Sequence, residues 1–181
     1  MRHIPARRLL PVAALMTAAG VFAASPALAQ ADHIKVEGPL VRYSADIPEG
    51  ATASVDAIYN SAGDSIVILH VRGLKPFTEY GAHAHARPCG ATGAAAGPHF
   101  QNNPDPHQPS TNPAYANPGN EIWLDFHTNA AGNAVSQTKV PWQFTPDRRA
   151  GSVIIHKEHT HTGPDDSGTA GARLACLTVA F

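Results

Sequence analysis

The chain of 181 residues is long enough for one domain with a sizeable core, or for such a domain preceded by a processed segment. It carries 13 basic and 14 acidic residues, and three of the basic residues, Arg2, Arg7 and Arg8, lie close to the start. The rest of the chain has a net charge of −4 with histidine neutral, which argues against a nucleic-acid partner and leaves no polybasic patch for a membrane surface.

The first 29 residues have the pattern of a secretory signal peptide. The three arginines precede an apolar run over residues 9–24, and Ala27-Leu28-Ala29 follows as a small-residue cleavage site. This run is shorter than the ~20 residues that a helix needs to cross a bilayer. We therefore predict a secreted, extracytoplasmic protein of the periplasm or cell envelope. Its mature domain would comprise residues 30–181, without a membrane anchor.

The chain contains two cysteines, Cys89 and Cys176. In an oxidising compartment these are expected to form one disulfide, which would contribute about 4 kcal/mol by chain-entropy arguments because it closes a long loop. The alternative, a pair of thiolate metal ligands, would require a reducing environment.

Alternating apolar and polar residues dominate the sequence, and no long stretch has a helical repeat. Eight such segments, separated by Gly, Pro and Asn, predict an all-β, eight-stranded antiparallel sandwich or barrel. The predicted strands cover residues 33–44, 51–60, 64–74, 78–87, 121–128, 135–144, 152–157 and 173–181. Two long loops, over residues 90–120 (the first loop) and 157–172 (the second loop), are of a length that is usually functional or disordered.

The fourth predicted strand contains the sequence Gly81-Ala82-His83-Ala84-His85. Side chains alternate along a strand, so His83 and His85 project from the same side, and the small alanines fall on the other. Two imidazoles at this spacing make half of a metal site. His99 in the first loop and His156 at the entrance to the second loop supply two more, and neutral imidazoles suit a late first-row metal, copper most strongly.

Five segments in this order resemble the copper/zinc superoxide dismutase family. They are Gly81-Ala82-His83-Ala84-His85, Cys89, Gly97-Pro98-His99-Phe100, Val153-Ile154-Ile155-His156-Lys157-Glu158 and Gly171-Ala172-Arg173-Leu174-Ala175-Cys176. The resemblance runs from about residue 71 to the C-terminus. It implies a Greek-key β-sandwich, an enzyme that dismutates superoxide, and a disulfide between Cys89 and Cys176.

The resemblance also implies roles for the site residues. His83, His85 and His156 correspond to copper ligands, and His99 corresponds to the residue that bridges copper to zinc in two-metal members. Arg173 resembles the arginine that stands beside the open copper position and receives the anion. Superoxide is thus the expected substrate, copper is the expected cofactor, and the pattern specifies no oligomeric state.

The zinc site of the family is only half present. His99 and His107 have the spacing of the first two zinc ligands, but the next two expected ligand positions are Ala116 and Gly119. A structural zinc site needs four ligands, so we predict a copper-only enzyme or one with a weak zinc site. In the copper-only branch a carboxylate supports a histidine of the copper site, and Glu121 is the candidate for that role.

Two other interpretations are open at this point. One is a secreted copper-binding or buffering protein without turnover, against which Arg173 argues, because a storage site has no use for an anion guide. The other is a cupin with an HxH motif. A cupin would need a glutamate shortly after His85, where this chain has Arg87-Pro88-Cys89-Gly90.

Overall fold

The computed structural model describes Met1 and residues 33–181, so that all but Met1 of the predicted signal peptide lies outside the described residues. No helix in the described part of the chain is long and apolar enough to span a membrane. One short 3-10 helix covers Gly93–Ala96. The strands are β1 (His33–Pro39), β2 (Val41–Arg42), β3 (Thr52–Tyr59), β4 (Ser65–Arg72), β5 (Glu79–His85), β6 (Phe126–His127), β7 (Ala134–Val140), β8 (Ser152–His156) and β9 (Arg173–Thr178).

The strands form two antiparallel sheets, which confirms the all-β sandwich. One sheet has the order β1-β3-β4-β7, and the other has the order β2-β9-β8-β5-β6. The predicted first strand is divided at Leu40. Its first part pairs with β3 and its second part with β9, so the chain changes sheets at this buried leucine, and nine strands rather than eight are found among the described residues.

The two sheets differ in how their faces are covered. In β3 and β4 buried residues alternate with more exposed ones, as expected when one face packs on the core and the other meets water. Every residue of β8, and all of β5 except Glu79, is buried. Their outer faces are covered by parts of the first and second loops. This cover buries the HxH pair of β5 completely.

Gly81 allows the second loop to lie directly on β5. A Cβ atom at this position would come within 2.5 Å of the Glu158 carbonyl oxygen and 2.8 Å of the Ala170 Cβ. Any larger residue would therefore push the second loop away from the strand that carries His83 and His85.

The predicted strand over residues 121–128 is mostly irregular. Phe126–His127 pairs with β5 as a regular strand, Trp123 forms an isolated bridge to His83 of β5, and Glu121 forms an isolated bridge to Gln101. The alternation of the segment still sets its inner face, because three apolar side chains at alternate positions are buried in the core, those of Ile122, Leu124 and Phe126. The irregular backbone lets the alternate carboxylates of this segment approach the histidines.

Candidate metal centre

Four histidines, His83, His85, His99 and His156, converge on the outer face of the five-stranded sheet, and we call them the histidine cluster. Each offers one ring nitrogen, and these four atoms lie within 4.8 Å of one another. His83 and His85 come from alternate positions of β5, and His156 ends the neighbouring strand β8, opposite Gly81. His99 reaches the same point from the first loop through an isolated bridge to His85. All four predicted copper-site histidines are thus brought together.

Hydrogen bonds at the rear of three rings leave their Nε2 atoms facing the cluster. His85 Nδ1 donates to the Gly97 carbonyl at 3.0 Å, and His156 Nδ1 donates to the Gly171 carbonyl at 3.4 Å. His99 Nδ1 donates to Glu121 Oε2 at 2.8 Å. A neutral ring that donates through Nδ1 carries a lone pair on Nε2. The lone pairs of His85 and His156 therefore meet across 3.3 Å, a separation that suits a shared cation.

His83 uses its ring nitrogens in the opposite way, with Nε2 in a hydrogen bond and Nδ1 toward the cluster. Its Nε2 lies 2.6 Å from Thr160 Oγ1, whereas its Nδ1 is buried without a hydrogen-bond partner among the described residues. A buried polar atom without a partner costs about 1–3 kcal/mol, a cost that a bound metal ion would offset here. The unpartnered nitrogen belongs to the histidine cluster, and the donor set therefore fits a metal ion.

Burial keeps three rings of the cluster neutral, those of His83, His85 and His156. It lowers the pKa of His83 and His85 well below the usual 6.5, and the neighbouring His99 lowers both further. Burial also lowers the pKa of His156 to about 3, again with a contribution from His99. Because the neutral form of imidazole binds metals, these rings are ready to act as ligands throughout the neutral pH range.

Glu121 is buried behind His99. In addition to the bond from His99, its carboxylate accepts hydrogen bonds from Gln101 Nε2 at 2.8 Å and from Trp123 Nε1 at 2.7 Å. Glu121 thus faces the His99 nitrogen that points away from the cluster.

His107, the second candidate zinc residue, is exposed and is not part of the histidine cluster. Its backbone N–H donates to Asp105 Oδ1 at 2.8 Å.

Arg173 lies beside the cluster and lines the same cavity. It is half-buried at the start of β9, and its Nη1 donates to the Gly93 carbonyl at 2.7 Å. It lines a cavity of about 310 Å³ together with His99 and His156, and an adjoining cavity of about 430 Å³ together with Arg87. Burial, with a further contribution from Arg87, lowers the pKa of Arg173.

The predicted disulfide is present. Cys89 and Cys176 are bonded with their Cα atoms 5.8 Å apart, across a sequence separation of 87 residues. The bond ties the start of the first loop to β9. It thereby holds together the segment that supplies the Gly97 carbonyl and the strand that carries Arg173.

Sequence reasoning missed the residues behind His83. Thr160 Oγ1 donates to Asp125 Oδ1 at 2.6 Å, so a hydroxyl and a carboxylate follow His83 Nε2 in series. The alternation over residues 121–128 places Asp125 on the same face as Glu121, but nothing local indicates that the second loop brings Thr160 to it. The Gly97 and Gly171 carbonyls have no sequence signal at all, because every residue carries such a group.

Comparisons with known proteins agree with this arrangement. A sequence profile described as copper/zinc superoxide dismutase matches residues 51–179. A search of curated proteins finds no match.

Similar folds are found among solved structures. The Cu/Zn superoxide dismutase from Brucella abortus has 19% identity and a TM-score of 0.57, covering 81% of this chain and 99% of that one. A SOD-like protein from Bacillus subtilis, solved as a double mutant, has 19% identity and a TM-score of 0.58, with coverages of 83% and 97%. The clock protein EA4 has 19% identity and a TM-score of 0.54, with coverages of 82% and 92%. Since the family profile extends over more than half of its length, this chain belongs to the copper/zinc superoxide dismutase family.

Proposed function

We propose that the protein is a copper-dependent superoxide dismutase that acts outside the cytoplasm. One observation carries the proposal: the histidine cluster presents four nitrogen ligands beside a cavity that is also lined by Arg173. Nitrogen ligands without a thiolate suit copper, and a guanidinium beside them suits a small anion. Family membership supports the same reaction.

In this proposal His83, His85, His99 and His156 hold the copper. Bound copper would supply the alternate oxidation and reduction by which one superoxide loses an electron to give O2 and another gains an electron and two protons to give H2O2. The residues of the chain supply fixed ligands, an attraction for the anion and a route for a proton.

Arg173 attracts the anion. Its Nη1 is anchored on the Gly93 carbonyl. In the described part of the chain neither Arg173 nor Arg87 forms an ion pair with a carboxylate. Its positive charge is therefore not neutralised locally, in a protein whose predicted mature form is net negative. A local positive field of this kind raises the concentration and the approach rate of a small anion.

His99 is the candidate for moving a proton. Its ring is partly accessible from the cavity, and its Nδ1–H bond to Glu121 leaves Nε2, the atom that would also hold the copper, as the one that would take up a proton whenever it is released from the metal. A proton on Nε2 would leave the bond to Glu121 intact. Proton transfer could then proceed without rotation of the ring.

We further propose that the enzyme does not depend on zinc. The contact that supports this is the 2.8 Å bond from His99 Nδ1 to Glu121, because a bridging histidine would offer that nitrogen to the second metal. His107 lies in an exposed part of the first loop. Glu121 therefore supports His99 directly.

Metal counting tests the zinc proposal. After metal-free protein is incubated with excess copper and zinc and then dialysed, we expect tightly bound copper alone. We expect His107→Ala to keep full activity and Glu121→Ala to lose activity, since Glu121 orients His99. One tightly held zinc per chain that is lost in His107→Ala would contradict the copper-only proposal.

The function itself is tested by superoxide consumption. Purified, copper-loaded protein should consume superoxide catalytically, with O2 and H2O2 formed in equal amounts and no added reductant. Free copper removed by a chelator, and protein loaded with zinc alone, serve as controls. Tight copper binding without turnover would instead support the alternative, a secreted copper-binding or buffering protein.

Secretion is also part of the proposal, and mass spectrometry tests it. The exported protein should begin at Gln30 and contain no free thiol, because the signal peptide is removed and Cys89 is bonded to Cys176. Reduction should loosen the first loop and with it His99. Two titratable thiols in the exported protein, or an intact N-terminal segment, would contradict it.

A further inference from the structure

The hydrogen bonds behind His83 have only one consistent direction. The Thr160 hydroxyl donates to Asp125 Oδ1 at 2.6 Å, and an ionised carboxylate can only accept. The single hydroxyl proton is thereby used, so Thr160 Oγ1 must accept from His83 Nε2, 2.6 Å away. This places the ring proton on Nε2 and the lone pair on Nδ1. His83 Nε2 and Asp125 Oδ1 are 3.8 Å apart, too far for a direct bond, so the Thr160 hydroxyl links the two side chains.

Asp125 is itself held firmly on both oxygens. The backbone N–H of Ala82, next to His83, donates to Oδ1 at 3.1 Å, and the backbone N–H of Thr160 donates to Oδ2 at 2.9 Å. His159 Nδ1 lies 3.1 Å from Oδ2 at the outer end. Asp125 therefore connects β5 to the second loop at the residue that precedes His83, and Thr160 is buried between them.

The four rings of the histidine cluster fall into two pairs by what lies behind them. His85 and His156 rest on peptide carbonyls, whereas His99 rests directly on the carboxylate of Glu121. His83 reaches a carboxylate as well, but through a hydroxyl contributed by a different loop. A carboxylate behind a ligating histidine orients the ring and makes it a stronger electron donor.

We propose that Thr160 and Asp125 are positioning residues for His83. The Asp125 carboxylate polarises the Thr160 hydroxyl, which makes its oxygen a better acceptor for the Nε2–H of His83. This bond keeps the ring proton on Nε2 and directs Nδ1 into the histidine cluster. The inference rests on the proposed copper site, but the proton position on His83 is a property of the protein without metal.

The first test measures that proton position. In metal-free protein whose fold is verified by circular dichroism, two-bond ¹H–¹⁵N correlation spectra should show His83 with a protonated Nε2 and an unprotonated Nδ1. Thr160→Val, which keeps the shape but removes the acceptor, should give a mixture of tautomers or a disordered ring. Thr160→Ser should restore the original spectrum. Thr169→Val, in the same loop with its hydroxyl on the Asp166 carbonyl, should leave it unchanged.

The second test uses the copper-loaded protein. Thr160→Val and Asp125→Asn should each lower copper affinity by about 10- to 100-fold, measured by competition with a chromophoric chelator, and should alter the copper hyperfine splitting in electron paramagnetic resonance spectra. Because the two residues act in series, the double variant should be no worse than the more severe single variant.

The outcomes separate this inference from the proposed function. A protonated Nδ1 in the wild-type protein, an unchanged spectrum in Thr160→Val, or additive losses in the double variant would each overturn the positioning role. Absence of superoxide consumption would contradict the proposed function, while the tautomer of His83 would still decide the role of Thr160 and Asp125.

Discussion

Replacement of His156 by alanine is expected to abolish tight copper binding. His156 ends β8, presents Nε2 at 3.3 Å from His85 Nε2, and is held neutral by burial that lowers its pKa to about 3. Removing a ligand should cost more affinity than the 10- to 100-fold that loss of a supporting hydrogen-bond partner costs. Copper content after dialysis and a chelator competition measure the effect, and superoxide consumption should fall in proportion to copper content.

Two further variants make this result interpretable. His156→Gln retains more of the buried volume, and should also lose copper if the role is ligation rather than packing. His127→Ala removes an exposed histidine of β6 and should bind copper like the wild-type protein. Unchanged copper affinity in a correctly folded His156→Ala protein would show that the ligand assignment is wrong.

Replacement of Arg173 by alanine is expected to lower the rate of superoxide consumption by about tenfold or more at low ionic strength, while copper content stays nearly unchanged. The guanidinium lines the cavity beside His99 and His156 but is not part of the histidine cluster, so its loss removes attraction for the anion and not a ligand. The remaining rate should depend less on salt, because screening then has less local charge to act on.

The salt dependence separates this electrostatic role from a structural one. Arg173→Ala also removes the bond to the Gly93 carbonyl, and a merely loosened loop would lower the rate without changing its slope against ionic strength. Arg173→Lys should retain much of the slope. Arg72→Ala, an exposed arginine on the other sheet, is the matched control and should retain all of it. An unchanged rate at low salt in Arg173→Ala would rule out the guiding role.

The strands were largely predictable because their pattern is local. The apolar pattern places β3, β4 and β8 within two residues of their observed bounds, whereas β7 and β9 end at Val140 and Thr178, before the predicted ends at residues 144 and 181. It failed at residues 121–128, where alternation correctly indicated the buried face but not the irregular backbone. Residue 121 pairs with Gln101 of the first loop instead, Trp123 forms only a single bridge to His83, and regular strand pairing with β5 is confined to Phe126–His127.

The candidate site was predictable for a different reason. The motif residues of the family converge as the resemblance implies, and the alternation of His83 and His85 follows directly from strand geometry. The support behind the rings was not predictable in the same way. Thr160 meets Asp125 only because the second loop folds over Gly81, a contact between residues far apart in sequence. No local pattern encodes such a contact.

The division between the two sheets has a practical consequence. The histidine cluster, Arg173 and their supporting residues belong to the five-stranded sheet, the two loops that cover it and the irregular segment that leads into β6, and the β1-β3-β4-β7 sheet contributes none of them. The exposed turn at residues 61–63, between β3 and β4, is therefore a suitable point of attachment for a fluorophore or a surface tether. A molecule immobilised through Ala62 would leave the metal site free, so that copper exchange could be followed on single, oriented molecules.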